Sequence, residues 1–317
     1  MYLGIEIGGT KLQLAVGPGD GRLLATWRRD IDARAGAQAI RDAILLALPE
    51  LLASPSLRGV PVTAAGIGFG GPVDHARQRA ITSHQVAGWD DFPLASWLTQ
   101  ATGLPTSLAN DADAAALAEA QLGAGRGVSP VFYVTVGSGI GGGLVIEGEV
   151  HLGAGRGAAE LGQLRFLQTP NPAAGLFGGV ASVESVASGF GIAERAARAP
   201  RSEPIAQAAG AGPITARAVA LAAERGDPLA LAILAPAIDT LADALCHVVA
   251  LLCPRRIVIG GGVAMMPQPL FMDPLRRRIE ERAFPPFRGL FDVVPAALGE
   301  EVVLHGALAL ARRAAQR

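Results

Sequence analysis

Residues 131–150, VFYVTVGSGIGGGLVIEGEV, constrain this chain more than any other stretch. The run opens with the β-branched and aromatic residues Val131, Phe132, Tyr133, Val134, Thr135 and Val136. It turns through Gly137, Ser138 and Gly139, then Gly141, Gly142 and Gly143, and closes on Leu144, Val145 and Ile146 before the polar turn Glu147-Gly148-Glu149. These residue types predict strand, glycine turn, strand, turn. Glycine has no Cβ, so backbone N–H groups in such a turn can come close to a ligand and converge on an anion such as phosphate. A plain tight turn has the same composition. Residues 127–146 carry no charge, which raises a membrane span, but six glycines and Pro130 sit among strand-favouring residues there, so no span is predicted.

The same pattern occurs about 129 residues upstream, in residues 3–14, LGIEIGGTKLQL, followed by the turn Gly17-Pro18-Gly19-Asp20-Gly21. Two such hairpins predict an internal duplication. Two related lobes, each offering a glycine turn, could clamp a polyphosphate across a cleft.

A chain of 317 residues, half of them hydrophobic, is long enough for two lobes of ordinary size with a sizeable core. Its formal net charge of -1, with no basic run, gives nucleic-acid binding no electrostatic support. The chain opens on a strand, and Glu6 and Gly8 interrupt its apolar start, so neither a helix-turn-helix segment nor a secretory leader is expected. A cytoplasmic location is expected. Cys246 and Cys253, seven apart in an apolar segment, lack metal-ligand spacing and read as core thiols.

Elsewhere, residues 35–52 show helical spacing of apolar residues (Ile40, Ile44, Leu45, Leu48, Leu51), ended by Pro55 and Gly59. Residues 63–69 predict a strand entering Gly70-Gly71-Pro72, and residues 94–102 a helix. Residues 105–109 predict a strand leading to Asn110, Asp111 and an alanine-rich helix over 112–122. At a helix start Asn110 and Asp111 read as caps or, for Asp111, as a carboxylate that the helix dipole keeps ionised and able to accept a proton. Glu160 and Glu184 stand among small or apolar residues on either side of a Pro/Gly-rich stretch, residues 170–179. Residues 218–224 and 229–252 predict helices. Residues 257–259 predict a buried strand entering Gly260-Gly261-Gly262 and a helix start. Residues 304–315 predict a helix packing back on the first lobe.

Four motifs, GIEIGGTK (4–11), LANDADAAA (108–116), VTVGSGIGGGL (134–144) and VIGGGV (258–263), occur in the order found in sugar kinases of the ROK family, which this chain resembles from residue 3 to about 310. The resemblance implies an α/β chain with the two-lobed actin-like ATPase (ribonuclease H-like) fold, duplicated domains around a central cleft. Residues 1–109 would form a small N-terminal domain completed by a C-terminal helix at about 303–317, and residues 110–302 a large domain. It implies that Gly8, Gly9, Thr10 and Lys11 form a first phosphate loop, Gly137, Ser138 and Gly139 a second, and Gly260, Gly261 and Gly262 the adenosine-side loop. Asn110 would bind sugar hydroxyls, Asp111 would bind the sugar and act as base, Glu160 and Glu184 would bind sugar, and Gly71 would face it.

The chain departs from the family pattern at four places. Glu6 replaces a common aspartate and is expected to hold Mg²⁺ through water. Gln163 replaces a histidine that usually binds both sugar and zinc, so Gln163 is expected to contact sugar or backbone while Leu164, Phe166, Leu176 and Phe177 pack the region. No cysteine occurs between residues 164 and 184, so no structural zinc is expected. Gln85 stands near a frequent asparagine. The reading is an ATP- and Mg²⁺-dependent kinase of a glucose-like hexose, acting at the 6-hydroxyl with Asp111 as general base. Its partners are sugar and ATP, with no nucleic acid or membrane and with a homodimer as the family's habit. The alternative readings are a sugar-binding or sensing protein that has lost catalysis, and a folding or cytoskeletal ATPase of the same superfamily.

Overall fold

The computed structural model describes residues 1–168, 179–200 and 202–316. In chain order the elements begin with β1 (Tyr2–Ile7), β2 (Lys11–Gly17), β3 (Ala25–Asp30), α1 (Gly36–Leu52) and β4 (Ala64–Phe69). The short strands β5 (Val73–Asp74) and β6 (Arg79–Ala80) follow, then α2 (Leu94–Thr102), β7 (Thr106–Asn110) and α3 (Asp111–Gln121). Next come β8 (Val131–Val136), β9 (Ile140–Ile146), β10 (Glu149–Val150), β11 (Arg165–Gln168) and β12 (Gly179–Ser182). Helices α4 (Val183–Ala187), α5 (Gly189–Arg198), α6 (Glu203–Ala209), α7 (Ala216–Glu224) and α8 (Pro228–Leu252) precede β13 (Arg256–Gly260), α9 (Met272–Arg282), β14 (Asp292–Pro295) and α10 (Val302–Ala314).

The chain divides into two compact units. Unit 1 comprises Met1–Gly127, Gly143–Ala158 and Ala297–Arg317. Its sheet has the order β3-β2-β1-β4-β7, with β1, β2 and β3 antiparallel and β4 and β7 parallel to β1. Parallel neighbours need a crossover, and α1 supplies it between β3 and β4. Its buried face carries Ile40, Ile44, Leu48 and Leu51 as the spacing predicts, each worth about 1.5–3 kcal/mol of transfer free energy. Leu45, expected on that face, is 40% exposed. α10 packs on β1, β4 and α3, as the sequence predicts for the C-terminal helix. A Cβ at Gly66 would fall 1.9 Å from the Ala307 carbonyl oxygen, so bare backbone in β4 is what lets α10 lie so close.

Two buried acids on α3 hold connections of this unit. Glu119 accepts from the backbone N–H groups of Ala124 (2.7 Å), Ala297 (2.9 Å) and Leu298 (2.9 Å). Asp113 lies with Oδ2 3.3 Å from His75 Nε2, and burial raises its pKa against the lowering effect of His75. The sequence placed residues 110–127 in the large domain, but α3 groups with the first sheet and α10, and residues 143–158 group there as well.

Unit 2 comprises Val128–Gly142 and Ala159–Ala296. In it β8, β13 and β14 run parallel, and the first residues of β9 border β8 on the other side; past Gly142, β9 continues into the 143–158 segment of unit 1, where it pairs antiparallel with β10. Phe132, Tyr133, Val134, Ile257, Val258 and Ile259 are all buried, as strands covered on both faces require. α8 is the one helix among the described residues long and apolar enough to cross a membrane, yet 56% of its apolar window is buried and it packs on α4, α7 and α9, the habit of a core helix. Cys253 is not on its face but caps its end in the left-handed conformation (φ 43°), exposed, while Cys246 is half-buried. No helix opens directly after Gly262; a run of turns intervenes and α9 begins at Met272.

Candidate active site

The expected site residues fall into two sets, one in each unit. In unit 1, β1 and β2 are joined by Gly8, Gly9 and Thr10, with the Gly8 N–H donating to the Lys11 carbonyl at 3.0 Å. Glu6 and Gln13 are register partners on these strands, and Gln13 Nε2 donates to Glu6 Oε2 at 2.9 Å. Lys11 Nζ lies 3.1 Å from Glu6 Oε1 and also donates to the Glu300 carbonyl. Glu6 is 5% exposed, and burial raises its pKa against the opposing pull of Lys11. Gln85 lies against the same turn, since a Cβ on Gly9 would meet its Oε1.

β7 ends beside this turn and carries the other expected residues. Asn110 is the N-cap of α3: its Oδ1 accepts from Ala112 N–H at 2.8 Å, and its Nδ2 donates to the Gly71 carbonyl at 2.9 Å. Asp111 is the first helical residue, with Oδ1 accepting from the Ala112 N–H at 2.8 Å. A Cβ on Gly70 would sit 3.4 Å from Asp111 Oδ2 and 3.3 Å from the Gly8 Cα, so the carboxylate and the first glycine turn border the same glycine. The helix N-terminus favours negative charge at Asp111. Asn110 thus takes the capping role the sequence left open, and Asp111 stands beside it in the first turn of α3.

In unit 2, Gly137, Ser138 and Gly139 form the tight turn between β8 and β9, closed by Gly137 N–H to Gly139 carbonyl at 2.9 Å. Gly261 adopts φ 88° and passes so near β8 that a Cβ would fall 2.5 Å from the Val136 backbone. The Val263 N–H donates to the Val136 carbonyl at 2.8 Å, which sets Gly261 and Gly262 beside the second glycine turn. Glu184 is half-buried at the start of α4, with Oε2 accepting from the Ile140 N–H at 2.7 Å. Glu160 and Gln163, at the two ends of a short 3₁₀ turn, are both exposed, although the neighbours of Glu160 in sequence suggested enclosure.

Three contributors were missed by sequence reasoning. The Gly189 and Phe190 N–H groups at the start of α5 donate to the carbonyls of Gly137 and Ser138 at 2.8 and 3.2 Å. Arg195, 4% exposed, donates from Nη1 to the Val186 carbonyl (2.7 Å) and from Nη2 to the Ile233 carbonyl (3.0 Å), tying α4 to α8. Burial lowers its pKa to about 10. The signal for Arg195 was an arginine three residues after Ile192 on an otherwise apolar face.

Magnesium fits the donor chemistry of the first set. Mg²⁺ keeps several of its own waters and needs only one or two carboxylates beside phosphate oxygens. Glu6, with its oxygens engaged by Gln13 and Lys11, suits contact through water rather than direct coordination. Zinc does not fit. Position 163 is an exposed Gln, no cysteine occurs between 164 and 184, and no group of three or more His, Cys, Asp or Glu among the described residues could hold a metal. Of the residues expected to pack there, Leu164 is 40% exposed and Phe166 is half-buried; Leu176 and Phe177 lie outside the described residues. Backbone and cap contacts hold the segment instead: Ser182 and Ser185 cap each other reciprocally, and the Val183 N–H donates to the Leu164 carbonyl at 2.9 Å.

Residues 2–314 match the ROK family. The chain belongs to that family. Among its relatives is a glucokinase of Thermotoga maritima, 31% identical over 313 residues, covering 97% of this chain and 96% of the relative. An N-acetylmannosamine kinase of Escherichia coli is 34% identical over 264 residues, 83% of each chain. Among solved structures, a ROK glucokinase from Streptomyces griseus in complex with glucose and AMPPNP superposes with a TM-score of 0.81 at 30% identity, covering 98% of this chain and 99% of that one. The ROK chain described here thus has the actin-like ATPase fold of its sugar-kinase neighbours.

Proposed function

We propose that this chain is an ATP-dependent kinase of a hexose, transferring the γ-phosphoryl group to the 6-hydroxyl with Asp111 as general base. The observation that carries the proposal is the placement of the Asp111 carboxylate at the N-terminus of α3, bordering Gly70 and the Gly8 turn. A carboxylate so placed can take the proton of a hydroxyl while a glycine turn beside it receives phosphate oxygens. The sugar oxygen forms a bond to the γ-phosphorus, the bond from that phosphorus to the ADP oxygen breaks, and the hydroxyl proton passes to Asp111.

Phosphoryl transfer demands mainly positioning and charge stabilisation. The N–H groups of the two glycine turns and Lys11 would bind phosphate oxygens; Glu6 and the Glu300 carbonyl take two of the three Lys11 ammonium hydrogens. Glu6 would hold Mg²⁺ through water; the ion, when bound, neutralises charge on the phosphate oxygens. Asn110 keeps one amide hydrogen beyond its bond to Gly71 for a sugar hydroxyl, and Glu160, Gln163 and Glu184 supply acceptors for others. Relatives named as glucokinase and as N-acetylmannosamine kinase support a hexose or its N-acetylated amine as substrate. We place the enzyme in the cytoplasm, as a kinase using ATP requires a pool of that nucleotide.

The test is a panel of glucose, mannose, fructose, N-acetylglucosamine and N-acetylmannosamine with ATP and Mg²⁺, with the product's phosphorylated position read by NMR. One sugar should give a 6-phosphate at a kcat/KM well above the rest. Tight sugar binding with no turnover for any member of the panel would favour the sensing alternative.

A further inference from the structure

Glu184 enters the functional reading as a sugar ligand, but one of its oxygens is already engaged. Oε2 accepts the Ile140 N–H at 2.7 Å, at the exit of the second glycine turn. A Cβ on Gly139 would fall 2.5 Å from that same oxygen, so the carboxylate lies along the turn where a glycine makes room for it. The element that carries Glu184 is itself anchored at both ends. The reciprocal Ser182 and Ser185 caps fix its start, and Arg195 holds the Val186 carbonyl near its end.

The same element leads into α5, whose Gly189 and Phe190 N–H groups hold the carbonyls of Gly137 and Ser138. In a trans peptide the N–H points opposite the C=O of the same unit. Pulling those two carbonyls toward α5 therefore directs the Ser138 and Gly139 N–H groups the other way, as an anion-binding turn requires. The turn is gripped at three points, two from the start of α5 and one from Glu184.

We propose that Glu184 is a positioning residue for the phosphate turn as well as a sugar ligand: Oε2 sets the turn through Ile140, and Oε1 takes a sugar hydroxyl. One carboxylate then couples the two substrates, because whatever steadies it for one steadies it for the other, and such coupling is reciprocal. The inference rests on the kinase reading above and adds to it a role that a sugar ligand alone would not have.

The test measures Mg·AMPPNP affinity in sugar-free protein by calorimetry, for wild type, Glu184→Ala and Glu184→Gln. Glu184→Ala should weaken nucleotide binding about tenfold, the worth of one well-made hydrogen bond. Glu184→Gln retains a carbonyl that can accept from Ile140 and should stay within about twofold of wild type, while the sugar KM rises in both variants. Gly139→Ala reaches the same contact from the other side, with Glu184 unchanged, and should reproduce the nucleotide loss even if Glu184→Ala does not fold. Wild-type nucleotide affinity in Glu184→Ala or in Gly139→Ala, or an equal loss in Ala and Gln, would overturn the positioning role. Wild-type protein that binds no nucleotide would instead sink the kinase reading.

Discussion

Glu119→Ala should be among the most destabilising single changes in unit 1. The side chain is 0% exposed, and its carboxylate accepts from three backbone N–H groups, those of Ala124, Ala297 and Leu298. Truncation leaves three partly buried backbone donors without their acceptor. Each such donor costs about 1–3 kcal/mol, and water entering the space left behind offsets part of the sum. A net loss of about 3–6 kcal/mol follows, a large part of the stability of an ordinary domain. Glu119→Gln is the informative partner. Its carbonyl oxygen can still serve Ala297 and Leu298, but its NH₂ would face the Ala124 N–H, so about half the loss should remain. Urea unfolding followed by tryptophan fluorescence reads unit 1 directly, because Trp27, Trp89 and Trp97 all lie in it. A Glu119→Ala midpoint within about 1 kcal/mol of wild type would refute the assignment of Glu119 as the acceptor for both connections.

Other outcomes follow from the same geometry. Gly137→Val should abolish nucleotide binding without unfolding the chain, since the nearest atom to a Cβ there is 4.0 Å away and no positive φ is required; unchanged AMPPNP affinity would count against the phosphate-turn assignment. Metal analysis should find no stoichiometric zinc after dialysis, and zinc-selective chelation followed by Mg²⁺ resupply should leave activity intact; bound zinc whose removal kills activity would contradict this. Asp113 has a pKa raised above 3.8 by burial, so its ionisation penalises the folded state: the penalty is absent at low pH and is fully present above the folded pKa. Asp113→Asn should therefore gain stability relative to wild type as pH rises from about 4 through that pKa, in urea melts run across pH; a pH-independent difference between the two proteins would be the contrary result.

Most strands and long helices were legible because their periods were clean. α1, α2, β4, β13 and α10 fall within a residue or two of the spans that apolar spacing and Gly/Pro breaks predict. The turn residues were legible as glycines, and Asn110 with Asp111 as a helix start. Less legible was everything decided by contacts distant in sequence. Glu119 sits in an alanine run, and nothing local announces its partners at residues 297 and 298. Glu184 looked like a ligand residue alone, because nothing local announces a bond to Ile140, 44 residues earlier. α3 was assigned to the wrong side of a boundary drawn at residue 109/110, since a helix joins the unit whose surface buries it, and here α10 arrives from the end of the chain to do so.

The central claim is that Asp111 takes the proton as a hexose hydroxyl attacks ATP. Its most direct test is a coupled ADP-release assay of wild type and Asp111→Asn on the preferred sugar, with sugar and AMPPNP affinities measured alongside. Wild type should turn over at about 1–100 per second, and Asp111→Asn at least a hundredfold more slowly with both affinities within a few-fold. Near-wild-type turnover in a folded Asp111→Asn protein would contradict the claim and return Asp111 to the role of a helix-start residue.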